Sequence, residues 1–250
     1  MPRAFVDLHC HTSASFDSLA SPRDVMRAAA ARGITHLAIT DHDRIDSALR
    51  ARDEAPDELT VIVGEEVRTT DGDLICLFLE RPIPPGLSPA ETIAAAREQG
   101  ALVGIPHPFD RFRSSMLREI GLAGIASLVD WVETHNSRIV GGAGNQKAVE
   151  FAREHDLPGV AVSDAHTTME VAVSYTVLEG HPGTPEGLLA ALPGAQLVTS
   201  RASYLVRLWT PVAKAVNAAR GNRRIEPVAR AGDGLVPDPP PDQGVSGVGR

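Results

Sequence analysis

The sequence predicts an α/β fold in which parallel strands and intervening helices form one barrel, and three observations predict it. Apolar runs rich in Val, Ile and Leu alternate with Ala/Arg/Glu segments of helical period. The 250 residues suit a single barrel domain of this class with a sizeable core. Side chains able to bind metal recur at the ends of the strands, and in an α/β barrel the C-terminal strand ends converge on one face.

The first strand is read in AFVDLH, which ends on His9. SPRDVMRAAAARG then has the marks of a helix: Ser21 as N-cap, Pro22 where a missing N–H costs nothing, Asp24 in the first turn and Gly33 past the end. THLAITDH, LTVIVGEEV and DLICLFL supply the second to fourth strands. SPAETIAAAREQG repeats the helix design with Ser88, Pro89 and Gly100, and Glu91 completes a capping box. ALVGIPHP, VDWVETHN and GVAVSDAH are the fifth to seventh strands, and TPEGLLAALPGAQLVTS reads as a closing helix and strand. These elements make up a domain over residues 1–200.

Residues 201–230 differ from the body, with seven Lys or Arg against the single acid Glu226. Tyr204, Leu205, Leu208, Trp209, Val212 and Val216 are spaced to line one helical face, with Thr210 and Pro211 marking a restart. This basic helical extension is expected to pack against the barrel, a membrane surface or partner helix being the other use of such a face. Residues 231–250 are too rich in Pro and Gly to build a core and are expected to form a disordered tail.

Composition excludes several functions. A formal charge of −8 opposes broad attraction to long nucleic acid, although bound divalent cations would offset much of it. No run approaches the roughly 18 apolar residues of a membrane span. MPRAFVDLH runs straight into a strand without a signal-peptide core, so a cytoplasmic location is expected. Cys10 and Cys76 give neither a disulfide framework nor a CxxC zinc pattern.

The chemistry lies at the strand ends. His9 and His11 end the first, Asp41 and His42 the second, Glu65 and Glu66 the third, His107 the fifth, His135 the sixth, and Asp164 and His166 the seventh. Strand alternation puts His9 and His11 on one face and turns Cys10 away, and it does the same for Asp164 and His166 around Ala165. Alone, an HxH pair is as compatible with two ordinary polar residues as with a metal. The cluster favours a metal: mixed imidazole and carboxylate donors suit zinc, manganese or iron, and they outnumber the three or four that one zinc needs. A centre of two or three ions, with Glu66 bridging, is the economical reading. No G-x-S-x-G elbow, phosphate loop or dinucleotide fingerprint offers a competing site. Arg111 and Arg113, beyond His107, are either phosphate-gripping guanidinium groups or solvated loop charges. Asn136 could bind substrate, support the metal shell or cap a turn. His36, His155 and His181 carry no assigned chemistry.

At these residues the chain resembles the PHP (polymerase and histidinol phosphatase) family of metal-dependent phosphoesterases. DLHCHTSAS, AITDHD, GEEV, PHPFDR and SDAH occur in family order across residues 5–177. The resemblance implies a distorted seven-stranded (β/α) barrel and two or three divalent ions (Mn, Zn or Fe). It implies ligands His9, His11, Asp17, His42, Glu66, His107, Asp164 and His166. It selects Glu66 over Glu65 through the pattern G-x-E, and it brings in Asp17, which spacing alone leaves unremarked. Many relatives carry a further histidine where this chain offers Asp73; either Asp73 ligates in its place, or a third ion is weak or absent. The family's asparagine falls on Asn136, which leaves His135 outside the ligand set.

The expected function is hydrolysis of a phosphate ester on a small phosphorylated metabolite or nucleotide, such as a nucleoside bisphosphate. In that reading metal-bound hydroxide attacks phosphorus, Arg111, Arg113 and Asn136 bind substrate, and His42 or His166 relays a proton. The alternatives are a 3′–5′ exonuclease on short oligonucleotides, and a noncatalytic metal-stabilised barrel whose basic extension binds a partner.

Overall fold

The computed structural model describes residues 2–110, 122 and 124–227. Arg111, Arg113 and the expected tail at residues 231–250 lie outside the described residues. The seven expected strands are β1 (Arg3–Asp7), β2 (His36–Ile39), β3 (Thr60–Arg68), β4 (Asp73–Leu77), β5 (Leu102–Ile105), β6 (Trp131–Asn136) and β7 (Gly159–Val162). Two more, β8 (Tyr175–Glu179) and β9 (Gln196–Val198), extend the same sheet, whose order is β7-β6-β5-β4-β3-β2-β1-β8-β9.

The parallel expectation holds for β1–β2–β3 and for β5–β6–β7, and is corrected at β4, which is antiparallel to both neighbours. Only residues 69–72 separate β3 from β4. That suffices for a hairpin, whereas a parallel crossover needs about a dozen residues or more. The barrel is therefore distorted. It is nearly closed beyond the strand ends, where Cys10 pairs in parallel with Ala165. There the His11 N–H donates to the Ala165 carbonyl at 2.8 Å and the Asp164 N–H to the His9 carbonyl at 2.9 Å. This seam stitches the segment carrying His9 and His11 to the one carrying Asp164 and His166.

Val6, Leu8, Ile62, Ile75, Leu77, Trp131 and Val160 form one buried apolar cluster beneath that seam. Trp131 fits because residue 104 is glycine: a β-carbon there would lie 2.0 Å from the indole Cε2. A second cluster joins the sheet to the helices through Val25, Met26 and Ala29 of α1 (Pro22–Ala31), Ala48 and Ala51 of α2 (Asp46–Glu54), Ile93 and Ala96 of α3 (Pro89–Arg97), and Phe151 and Ala152 of α4 (Ala143–Glu154). Each large side chain so buried contributes about 1.5–3 kcal/mol. The expected caps are in place, with Ser21 accepting from the Asp24 N–H and Ser88 and Glu91 forming the capping box.

The chain closes with α5 (Pro185–Ala191), β9 and α6 (Trp209–Ala219). The apolar face expected to pack on the barrel is not the docking face: Leu205 is 72% exposed, Leu208 67% and Trp209 53%. α6 instead meets the barrel through Ala213 and Asn217. The reason is polar. Asn217 Nδ2 donates to the carbonyls of Ser15 at 3.1 Å and Ser18 at 2.9 Å, groups that a purely apolar face would leave buried without a donor. Among the described residues, no helix is long and apolar enough to cross a membrane.

Candidate metal centre

The loops that follow β1, β2 and β7, along with β3, the start of β4 and the turn after β5, bring nine side chains together. Four groups form, the ligand atoms of each lying within 4.8 Å of one another: His11, Asp17, His42 and His166; His9, His11 and Asp164; His9, Glu66 and His107; and His42, Glu66 and Asp73. All nine are buried. Glu66 belongs to two groups, the position of a bridging carboxylate, while Glu65 points off the opposite face of β3 and accepts from the Ile83 N–H at 2.8 Å.

Surrounding partners fix which nitrogen of His9, His11 and His166 faces inward. His9 Nδ1 donates to Glu133 Oε1 at 2.6 Å, so its Nε2 carries a lone pair. Ser15 Oγ donates to Asp41 Oδ1 at 2.7 Å and therefore accepts from His11 Nδ1 at 3.0 Å, leaving a lone pair on His11 Nε2 as well. The two Nε2 atoms lie 2.9 Å apart. His166 Nδ1 donates to the carbonyl of Asp164 at 2.9 Å, which turns its Nε2 toward Asp17 Oδ2 at 3.3 Å. Glu66 Oε2 lies 3.4, 3.2 and 3.1 Å from nitrogens of His9, His11 and His42, yet it and Asp17 Oδ1 are buried without a hydrogen-bond donor. Lone pairs converging on lone pairs and carboxylate oxygens repel unless cations lie between them. The residues fit a divalent-metal centre.

The electrostatics agree. Burial opposes a charge on His9 and His11, but carboxylates outweigh it: Glu133, Asp164 and Glu66 hold His9 well above its usual range, and Asp164 and Glu66 lift His11 to about 9. Burial likewise opposes ionisation of Glu66, and the imidazoles of His42 and His9 hold it well below the carboxylate range. The site demands positive charge: without metal a proton takes the lone pair on the inward Nε2, and a divalent ion competes with that proton for it. His166 goes the other way. Burial and then the Arg138 guanidinium push it down to about 3, leaving a neutral imidazole.

Backbone conformation supports the same reading. His107 (φ 28°), Asp164 (φ 51°) and Asp43 (φ 56°) adopt left-handed conformations without being glycine. Each costs on the order of 1–3 kcal/mol and persists where surrounding contacts over-determine it.

The sequence alone does not reach Glu133 or Asp43; it leaves the role of Asn136 open and counts Asp41 among the metal-capable strand ends. Glu133 gathers the His9 Nδ1–H, the His107 N–H at 2.7 Å and Asn136 Nδ2 at 2.8 Å. Asn136 donates also to Asp164 Oδ2 at 3.1 Å, and its Oδ1 accepts from the Arg138 N–H at 3.0 Å. Its amide is thus committed to bracing the cage. Strict alternation would put residues 133 and 135 on one face, but a bulge between Glu133 and His135 shifts the register. Asn136 therefore faces inward, while His135 Nε2 contacts the Ser200 carbonyl. Asp41 is a brace too, accepting from the Thr12 N–H and hydroxyl, both at 2.7 Å. Asp43 and Asp73 receive Arg224, at 2.9 and 2.8 Å.

A cleft of about 690 Å³ opens beside Asp17 and His166, between α1 and the start of α6. Leu19, Ala20, Ala28, Met169 and Trp209 give it mainly apolar walls, with Asp24 and Arg27 on its outer side.

The chain is similar to several known proteins. Residues 7–106 match the PHP domain and residues 142–196 the PHP-associated region. An uncharacterized protein of Methanocaldococcus jannaschii is 34% identical over 173 residues, 68% of either chain. A 5′-3′ exoribonuclease of Haemophilus influenzae is 34% identical over 119 residues, 42% of either chain. A two-domain protein of Bacteroides vulgatus that contains a predicted PHP-like metal-dependent phosphoesterase superposes with a TM-score of 0.66 at 18% identity, over 79% of this chain and 65% of that one.

Proposed function

The chain belongs to the PHP family, a metal-dependent hydrolase of phosphoester bonds, and from that premise we propose that it is a phosphatase acting on a small phosphorylated metabolite or nucleotide, such as a nucleoside bisphosphate. The observation that carries this reading is the cleft, which adjoins the cage at Asp17 and His166 and has the volume and apolar lining of a small-molecule site. Two or three divalent ions, of manganese, zinc or iron, supply Lewis-acid charge to the phosphoryl oxygens and lower the pKa of a water molecule when bound. His9, His11, Asp17, His42, Glu66, His107, Asp164 and His166 hold them.

The phosphate group lies over the cage and the rest of the substrate fills the cleft, with a planar group against Trp209. Arg111 and Arg113 grip phosphate oxygens. His166 lines the cleft wall, and burial and the Arg138 guanidinium keep it a neutral imidazole, the form that binds a metal ion. The Haemophilus relative, a 5′-3′ exoribonuclease, supports a second reading in which the same cage removes nucleotides from short oligonucleotides, from the 5′ end and not from the 3′ end expected from the sequence.

The test is phosphate release in manganese from mononucleotides, 3′,5′-bisphosphates, sugar phosphates and short oligonucleotides. Rapid release from a small substrate, lost in Asp164→Ala, is expected. Faster shortening of oligonucleotides would favour the second reading. No turnover of any substrate with ions bound would favour a binding role, and release unchanged in Asp164→Ala would remove the proposed site.

A further inference from the structure

We propose that Arg224, delivered by the C-terminal segment, is itself the third cation of this centre, held in the corner where a third ion would otherwise sit. The proposal rests on the metal-centre reading above. The corner is defined by His42, Glu66 and Asp73, whose ligand atoms lie within 4.8 Å of one another. Arg224 reaches it from 151 residues away in sequence, with Nη2 donating to Asp73 Oδ1 at 2.8 Å and Nε donating to Asp43 Oδ2 at 2.9 Å. Its side chain is 17% exposed and both carboxylates are fully buried. A guanidinium in contact with Asp73 repels a divalent ion from that corner.

The approach of Arg224 is built into the fold. Asn217 and Asn222 donate to the carbonyls of residues 13–18, fixing the chain on either side of the α6 terminus. Beyond Arg224, Pro227 packs on Gly86, where a β-carbon would lie 2.5 Å from the proline ring. The receiving side is equally committed: Asp43 holds its left-handed backbone and accepts from the Arg68 N–H at 2.7 Å. In this arrangement Asp73 does not ligate metal. It seats an arginine, and Arg224 is a positioning residue that sets how many ions the site takes.

The test counts ions. Full-length protein is dialysed against manganese, bound metal is measured by elemental analysis, and folding is checked by circular dichroism. The wild-type chain should hold about two ions and Arg224→Met about three, the added ion being lost again in Arg224→Met/Asp73→Asn. Asp73→Asn alone should leave the wild-type number unchanged, and this variant decides the matter should Arg224→Met fail to fold. Three ions in the wild-type chain, no gain in folded Arg224→Met, or loss of an ion in Asp73→Asn would each overturn the proposal. A wild-type chain that binds no ion would overturn the metal reading with it, a result distinct from an unchanged pair of ions in Arg224→Met.

Discussion

Replacing Glu133 by glutamine should weaken metal binding without altering a ligand. Glu133 is 1% exposed and acts only as an acceptor: Oε1 faces His9 Nδ1 at 2.6 Å, and Oε2 faces the His107 N–H at 2.7 Å and Asn136 Nδ2 at 2.8 Å. Glutamine has the same shape but must present an NH2 group on one side. Toward His107 and Asn136, that group would meet two donors. Toward His9, it would drive the imidazole proton from Nδ1 to Nε2, where it covers the lone pair pointing into the cage. The second orientation preserves two of the three hydrogen bonds and is the expected one, at the expense of one ligand's basicity. Losing such support costs about 10–100-fold in metal affinity, or about 1.4–2.8 kcal/mol. Competition against a chelator, followed at equilibrium with manganese or zinc, measures it. An affinity within about twofold of the wild type would refute the assigned tautomer of His9 and with it the convergence of lone pairs.

Glu65→Gln should flatten the pH dependence of stability of the metal-free protein. Burial, and secondarily the Asp43 charge, raise the Glu65 carboxyl from 4.5 to about 8. The folded form then retains a proton that the unfolded chain releases, so stability is full below 4.5 and falls as pH rises toward 8, by on the order of a few kcal/mol. Urea midpoints that fall equally in variant and wild type over that window would contradict this. Deleting residues 203–250 should remove most hydrolytic activity, since it takes away Arg224 and the asparagine anchors of the loop that carries Asp17. Unchanged phosphate release from a folded truncation would show that the segment only covers the barrel. Trp209→Ala should raise KM for nucleotides and leave sugar phosphates unaffected, because stacking on an aromatic ring contributes about 1–3 kcal/mol. An equal effect on both substrate classes would place the base elsewhere.

Much of the cage was legible because strand alternation is a local rule. His9, Cys10 and His11 obey it: the histidines face inward, and Cys10 is buried in the cluster between sheet and helices. The same rule fails at β6, where a bulge changes the parity between Glu133 and Asn136, and no residue type in ETHN announces it. Glu133 was missed for that reason. The direction of β4 was legible in principle, since residues 69–72 leave no length for a helix, but the runs on either side look alike in either direction. Asp17 could be reached only through the family pattern, because loops have no periodicity to read. Arg224 could not be reached at all. Its partners lie 181 and 151 residues earlier, and in sequence it is one of seven Lys or Arg in the basic extension, with nothing in its spacing to single it out.

The loop at residues 12–18 shows why the cage and the C-terminal segment form one structure. From within the barrel, Asp41 holds Thr12 and Ser15, and Ser15 in turn orients His11. From outside, Asn217 and Asn222 take up the carbonyls of the same loop, and Lys214 and Arg224 flank Phe16 at 5.1 and 5.8 Å from its ring centre. Asp17 follows Phe16 directly, so the carboxylate facing His42 and His166 is placed by contacts from both sides. An ion drawing Asp17 inward therefore favours the loop conformation on which α6 docks, and docking of α6 favours the ion by the same free energy, since coupling between two binding events is reciprocal. A cage built only from strand ends would leave its ligand on a surface loop unsupported. In this chain the support comes from the part of the sequence with the least resemblance to a barrel.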